Sequence, residues 1–149
     1  MISRANIDDA VAGYIGDTLA TSYSGEVGTQ LSEDFGPGDI PKAGLISMRR
    51  DVQAFLKRNE RLIKSASYRV RGRSGRTTDE PVLESIGWAG VGSHFAYVRN
   101  SDSVGFDDLG WGPDEITEKL DEAAWAFPRT ELYLGEGDTE LTFWAEKKR

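Results

Sequence analysis

Residues 48–76 read MRRDVQAFLKRNERLIKSASYRVRGRSGR, and within this stretch the hydrophobic period changes from 3.6 to 2. At about 100° per residue, Met48, Val52, Phe55, Leu56, Leu62 and Ile63 fall on one helix face. Arg50, Lys57, Arg61 and Lys64 fall within about 60° of one another on the opposite face. Pro41 suits a first helical turn and Ser47 is an alternative cap, so the spacing predicts a helix over about 42–65. Asn59 lands in the middle of the apolar face, where it needs a hydrogen-bond partner. From Tyr68 the pattern alternates: Tyr68-Arg69-Val70-Arg71 reads as a strand with its arginines on one side, and Gly72-Arg73-Ser74-Gly75-Arg76 as a basic turn.

Upstream, Ser3 caps a predicted helix over about 4–20, with Ile7, Val11, Tyr14, Ile15, Thr18 and Leu19 at helical spacing. Ile2 stands where a hydrophobic staple would. Gly13 and Gly16 either weaken this helix or mark a close backbone approach. Residues 21–40 read as one long loop. Downstream, Val82–Trp88 and Ser93–Arg99 read as two strands separated by glycines at 87, 90 and 92, and Asn100–Gly112 as an acidic loop. A helix over about 113–127 follows, with Pro113 at its start, Asp114 and Glu115 in its first turn and Pro128 beyond its end. A hairpin of Glu131–Leu134 and Thr139–Ala145 closes the chain around Gly135-Glu136-Gly137-Asp138. The expected fold is one α+β domain over residues 1–149, with three helices and a mostly antiparallel sheet of about four to five strands.

The chain has 149 residues, no cysteine and one histidine, His94. Disulfides, thiolate metal sites and a cysteine nucleophile are therefore excluded, and so is any mechanism needing two histidines. There is no D-x-D-x-D-G loop for a divalent cation, so neither a metal nor another cofactor is expected. Apolar runs fall short of the roughly 20 residues of a membrane helix. The first residues turn polar and acidic at once, unlike a signal peptide, so a soluble cytoplasmic protein is expected.

Net charge is −7, but it is unevenly spread. Residues 1–40 hold one Arg against seven acids (−6), residues 41–77 eleven cations against two acids (+9), and residues 78–149 six cations against sixteen acids (−10). Such a chain suits a polyanion at its middle or a basic partner at its ends, unless the blocks neutralise one another inside the fold.

Two partner-binding surfaces are expected. One is basic: Arg50, Lys57, Arg61 and Lys64 of the helix with Arg69 and Arg71 of the strand, extended by Arg73 and Arg76 in the turn. Phosphates need long flexible cations, and arginines in a glycine turn can approach a phosphate backbone closely. The other is acidic: Glu118 and Glu122 around Trp125, which projects about 180° from Ile116 on the third predicted helix. Tryptophan is a frequent energetic anchor of interfaces. Another protein is the first expected partner, and nucleic acid, through the basic 49–76 segment, the second.

The enzymatic alternative uses Glu80, His94 and Arg99. An imidazole near pKa 6.5 suits acid–base work at neutral pH. Ser74-Gly75-Arg76-Thr77 followed by Glu80, then Arg99-Asn100-Ser101-Asp102, resembles the catalytic segment of barnase-like microbial ribonucleases. That resemblance implies Glu80 as base and Arg99 as phosphate ligand. It covers fewer than ten positions. The two strings lie farther apart here, Ser103 stands at the family's second Arg, and Asp138 and Thr139 occupy the region of its His. The first expectation is thus binding without chemistry, of the inhibitor, immunity or regulatory kind, and phosphodiester cleavage or nucleic-acid binding is the alternative.

Overall fold

The computed structural model describes residues 1–22, 30–135 and 138–146. Among these are five α-helices and two small antiparallel sheets, of three and two strands. The α+β class therefore holds, while one sheet with three helices is corrected to two sheets with five.

The first helix, α1 (Arg4–Thr21), begins as expected, with Ser3 Oγ accepting from the Asn6 amide at 3.1 Å. Its buried residues include Ile7, Val11, Tyr14, Ile15, Thr18 and Leu19. Of the expected loop over 21–40, residues 23–29 lie outside the described residues. The remainder forms two short 3-10 turns, with Leu31 and Ile40 buried.

Helix α2 (Lys42–Ser65) buries Met48, Val52, Phe55, Leu56 and Ile63, and half-buries Leu62. Asn59 finds its partner within the helix, donating from Nδ2 to the Phe55 carbonyl at 2.8 Å. Phe55 stacks on Phe95 with ring centroids 4.0 Å apart, and the Phe106 and Phe127 rings lie within 6.4 Å of Phe55.

The chain then forms strands β1 (Ser67–Arg71) and β2 (Thr77–Pro81). The strands expected at 82–88 and 93–99 are instead helices α3 (Val82–Ser85) and α4 (Gly87–Arg99). The reason is tertiary. Val91, Phe95 and Val98 are buried at helical spacing. Gly92 stands where a Cβ would overlap the Ala10 carbonyl, and Gly13 where a Cβ would overlap the Ala89 carbonyl. Glycine weakens an isolated helix by about 1 kcal/mol, but here it lets the α1 and α4 backbones touch.

Strand β3 (Trp111–Gly112) pairs with the start of β1, in the order β2-β1-β3. Helix α5 (Asp114–Trp125) buries Leu120 and Ala124 and partly buries Ile116 and Ala123, with Phe127 partly buried just beyond its end. Strands β4 (Thr130–Tyr133) and β5 (Thr142–Ala145) form the expected terminal hairpin, and Phe143 packs onto Gly44 of α2. Of its turn, Glu136 and Gly137 lie outside the described residues. No helix among the described residues is long and apolar enough to cross a membrane.

Candidate functional site

The basic stretch that decides the fold ends in an exposed hairpin. Strands β1 and β2 pair with Arg69 opposite Asp79 and Arg71 opposite Thr77. The turn between them closes with the Gly75 amide donating to the Gly72 carbonyl at 3.0 Å. Gly75 has φ 79°, the left-handed conformation that ends a three-residue hairpin loop and favours glycine.

Strand β3 reaches only Ser67 and Tyr68 of β1, and one further bond joins the Arg69 amide to the Gly110 carbonyl. Beyond that point the hairpin is a two-stranded ribbon, and every residue from Arg71 to Pro81 is exposed. Tyr68 turns the other way: its ring lies against Gly110 and 6.3 Å from the His94 ring. Arg69 and Arg71 therefore occupy the outward face, because side chains alternate along a strand.

All nine residues expected to bind a partner are exposed, but their surroundings differ. Arg69 and Arg71, like Arg73 and Arg76, make no ion pair among the described residues, and neither do Lys57 and Arg61. Lys64 pairs with Glu60 at 2.6 Å, which draws the Glu60 carboxyl below its ordinary range. Arg50 donates to Asp51 at 3.4 Å and to Ser47 at 3.3 Å.

On α5, Glu118 and Glu122 face solvent. Trp125 is 37% exposed, and its indole N–H donates to the Val98 carbonyl at 2.9 Å. The edge of that ring is thus held by the end of α4. Nearby, burial raises the Asp121 carboxyl, with Asp107, Asp108 and Glu118 adding to the effect; the amide of Phe106 partly offsets it.

Glu80, His94 and Arg99 occupy three different hydrogen-bonding environments. Glu80, on the exposed ribbon, accepts from the Ser85 hydroxyl at 3.2 Å. His94 Nδ1 accepts from the Trp111 indole at 2.8 Å, so the neutral ring carries its proton on Nε2, and burial lowers its pKa. Arg99, expected on a strand, stands instead at the end of helix α4, and its side chain is 1% exposed. It donates to Asp51 at 2.7 Å, to the Tyr14 hydroxyl at 3.1 Å and to the Pro128 carbonyl at 2.9 Å. Its guanidinium also lies 5.3 Å from the Phe127 ring centroid. It acts here as a tie among α1, α2, α4 and the segment before β4.

Sequence reasoning missed two concave surfaces. A polar cleft of about 740 Å³ lies between α1, α4 and β4, where Tyr97 and Trp144 keep exposed rings. A second hollow, of about 640 Å³, lies between α2 and the end of α5. Neither has a linear signal, because each is lined from elements distant in sequence. Comparison with protein-family models, with curated proteins and with solved structures finds no match in any of the three.

Proposed function

We propose that the protein acts by binding another macromolecule, without chemistry, and that its contact is the arginine ribbon together with the solvent face of α2. A regulatory or inhibitory protein fits this reading, and its partner presents an acidic protein surface. The observation that carries it is the ribbon. Residues 71–81 are all exposed, so they add little to the core. Ordering a backbone costs about 1–2 kcal/mol per residue, and a lone two-stranded hairpin is marginal in water. Contact with a partner supplies the burial that the ribbon lacks, and counter-charge for four arginines that Asp79 and Glu80 of the ribbon match only in part. The buried, fully tied position of Arg99 supports binding over phosphodiester cleavage.

One observation favours nucleic acid as a second reading. A two-stranded ribbon fits the roughly 12 Å width of a duplex major groove. The net charge of −7 argues against dedicated non-specific nucleic-acid binding.

Affinity capture from the source cells separates these readings, with captured material analysed by mass spectrometry and by nucleic-acid staining. Wild type is compared with a ribbon set (Arg69→Glu, Arg71→Glu, Arg73→Glu) and a helix set (Glu118→Lys, Glu122→Lys, Trp125→Ala). A protein lost with the ribbon set and kept with the helix set supports the first reading. The reverse pattern moves the contact to α5, and ribbon-dependent nucleic acid without protein supports the second.

A further inference from the structure

The hollow of about 640 Å³ is bordered on one side by Arg50, Asp51, Ala54 and Arg58 of α2, and on the other by Ala126 and Phe127. None of its lining residues belongs to the ribbon, and it shares Arg50 with the solvent face of α2. Asp51 is shared by two guanidiniums: Oδ1 accepts from Arg50 Nε at 3.4 Å, and Oδ2 from Arg99 Nη2 at 2.7 Å. Arg58 is exposed at the same hollow and makes no ion pair among the described residues. The other acid on the lining, Glu146, lies 3.5 Å from Arg129 Nε. Three guanidiniums, of Arg50, Arg58 and Arg99, and two carboxylates, of Asp51 and Glu146, thus border the hollow, and Asp51 is shared between two of the guanidiniums. The result is a local positive excess in a chain of net charge −7.

We propose that this hollow binds a small organic carboxylate with an apolar body. Its volume lies within the range of about 300–1,000 Å³ typical of small-molecule sites. Ala54, Ala126 and Phe127 offer apolar surface for the body. The planar guanidinium fork matches a carboxylate with two parallel N–H···O bonds. Arg50 stands at the rim with its side chain 71% exposed, and Arg99 lies behind it, its Nε, Nη1 and Nη2 each bonded within the protein. Arg58 sits two helical turns from Arg50, with Ala54 midway, and contributes a charge that makes no ion pair among the described residues. A neutral apolar ligand would gain nothing from that charge, and a bare anion would leave the apolar walls wet.

The test uses the full-length protein, labelled with ¹⁵N and titrated with naphthalene-1-carboxylate, naphthalene-1-carboxamide and acetate. The naphthoate is expected to shift the amides of Ala54, Ala126 and Phe127. It should bind about tenfold or more tightly than the carboxamide, the value of a charged hydrogen bond. Acetate should leave those amides unmoved. Arg58→Gln should narrow the gap between acid and amide while leaving carboxamide affinity unchanged. Ala54→Leu, which fills the hollow, should abolish binding of both with the thermal unfolding midpoint retained. Equal affinity for acid and amide would overturn the proposal. So would no naphthoate binding at millimolar concentration, shifts confined to another part of the protein, or unchanged binding in Ala54→Leu. Arg58→Gln keeps the proposal open to refutation even if Ala54→Leu fails to fold.

Discussion

The α1–α4 crossing and the β1–β2 ribbon both depend on glycines, and they use them in opposite ways. At the crossing, Gly13 and Gly92 remove side chains so that two helix backbones meet, and Ala10, Val91 and Phe95 around them are buried. In the ribbon, Gly75 supplies a left-handed turn so that two strands can leave the body, and residues 71–81 are all exposed. The first arrangement serves stability, because close-packed interiors tolerate little change in volume. The second contributes little packing and displays four arginines. Damage at the crossing should therefore unfold the chain, while damage on the ribbon should leave the fold intact and remove binding.

The largest effects are expected in the core. Phe55→Ala removes the ring stacked on Phe95 and should cost about 3–5 kcal/mol in chemical denaturation. Arg99→Ala leaves Asp51 without its buried partner and should cost about 3–5 kcal/mol in the same measurement. Gly92→Ala forces a methyl group toward the Ala10 carbonyl and should cost about 1–3 kcal/mol or more. On the ribbon, Arg73→Ala should change stability by no more than about 0.5 kcal/mol. A ribbon substitution that destabilises as much as Gly92→Ala would erase the distinction between the two regions.

Two titratable groups on these helices sharpen the comparison through pH. Burial raises the Asp17 carboxyl from 3.8 to about 6, only partly opposed by the Ser93 hydroxyl. The folded chain thus holds this proton more tightly than the unfolded chain, and stability declines as pH rises from 3.8 to about 6. Asp17→Asn should remove that decline, leaving the variant more stable than wild type at pH 7 and little changed at pH 3. His94 has the opposite sign. Burial lowers its pKa below 6.5, so its contribution is complete above 6.5 and is lost as pH falls through the lowered value. A His94→Gln variant, whose side-chain oxygen can accept from Trp111, should lack this acid-side loss. Denaturation curves across pH read both effects, and parallel wild-type and variant profiles would refute them.

These contrasts mark where the fold was legible in sequence. Helix α2 was readable because 24 residues carry a long apolar stripe opposite a cationic one. Helices α1 and α5 declared themselves through Ser3 and through Pro113 with its following acids. Helix α4 did not, because Gly87, Gly90 and Gly92 among β-branched and aromatic residues look like a strand until α1 is placed against them. The two-residue β3 was invisible inside an acidic loop, yet its stopping at Tyr68 leaves the ribbon free. The cations were legible as a run of charge. That Arg99 would be drawn inward, while Arg69 and Arg71 stayed outside, depended on Asp51 and Tyr14, which are far from Arg99 in sequence.

Joint measurement of stability and binding for the quadruple variant Arg69→Glu, Arg71→Glu, Arg73→Glu and Arg76→Glu tests the division of labour most directly. Its unfolding free energy should stay close to wild type, and captured partner should be lost. In the wild type, binding should weaken as salt rises from about 50 to 200 mM, because exposed charges are screened beyond about 10 Å. A folded quadruple variant that still captures its partner with wild-type affinity would contradict the assignment of the ribbon as the contact.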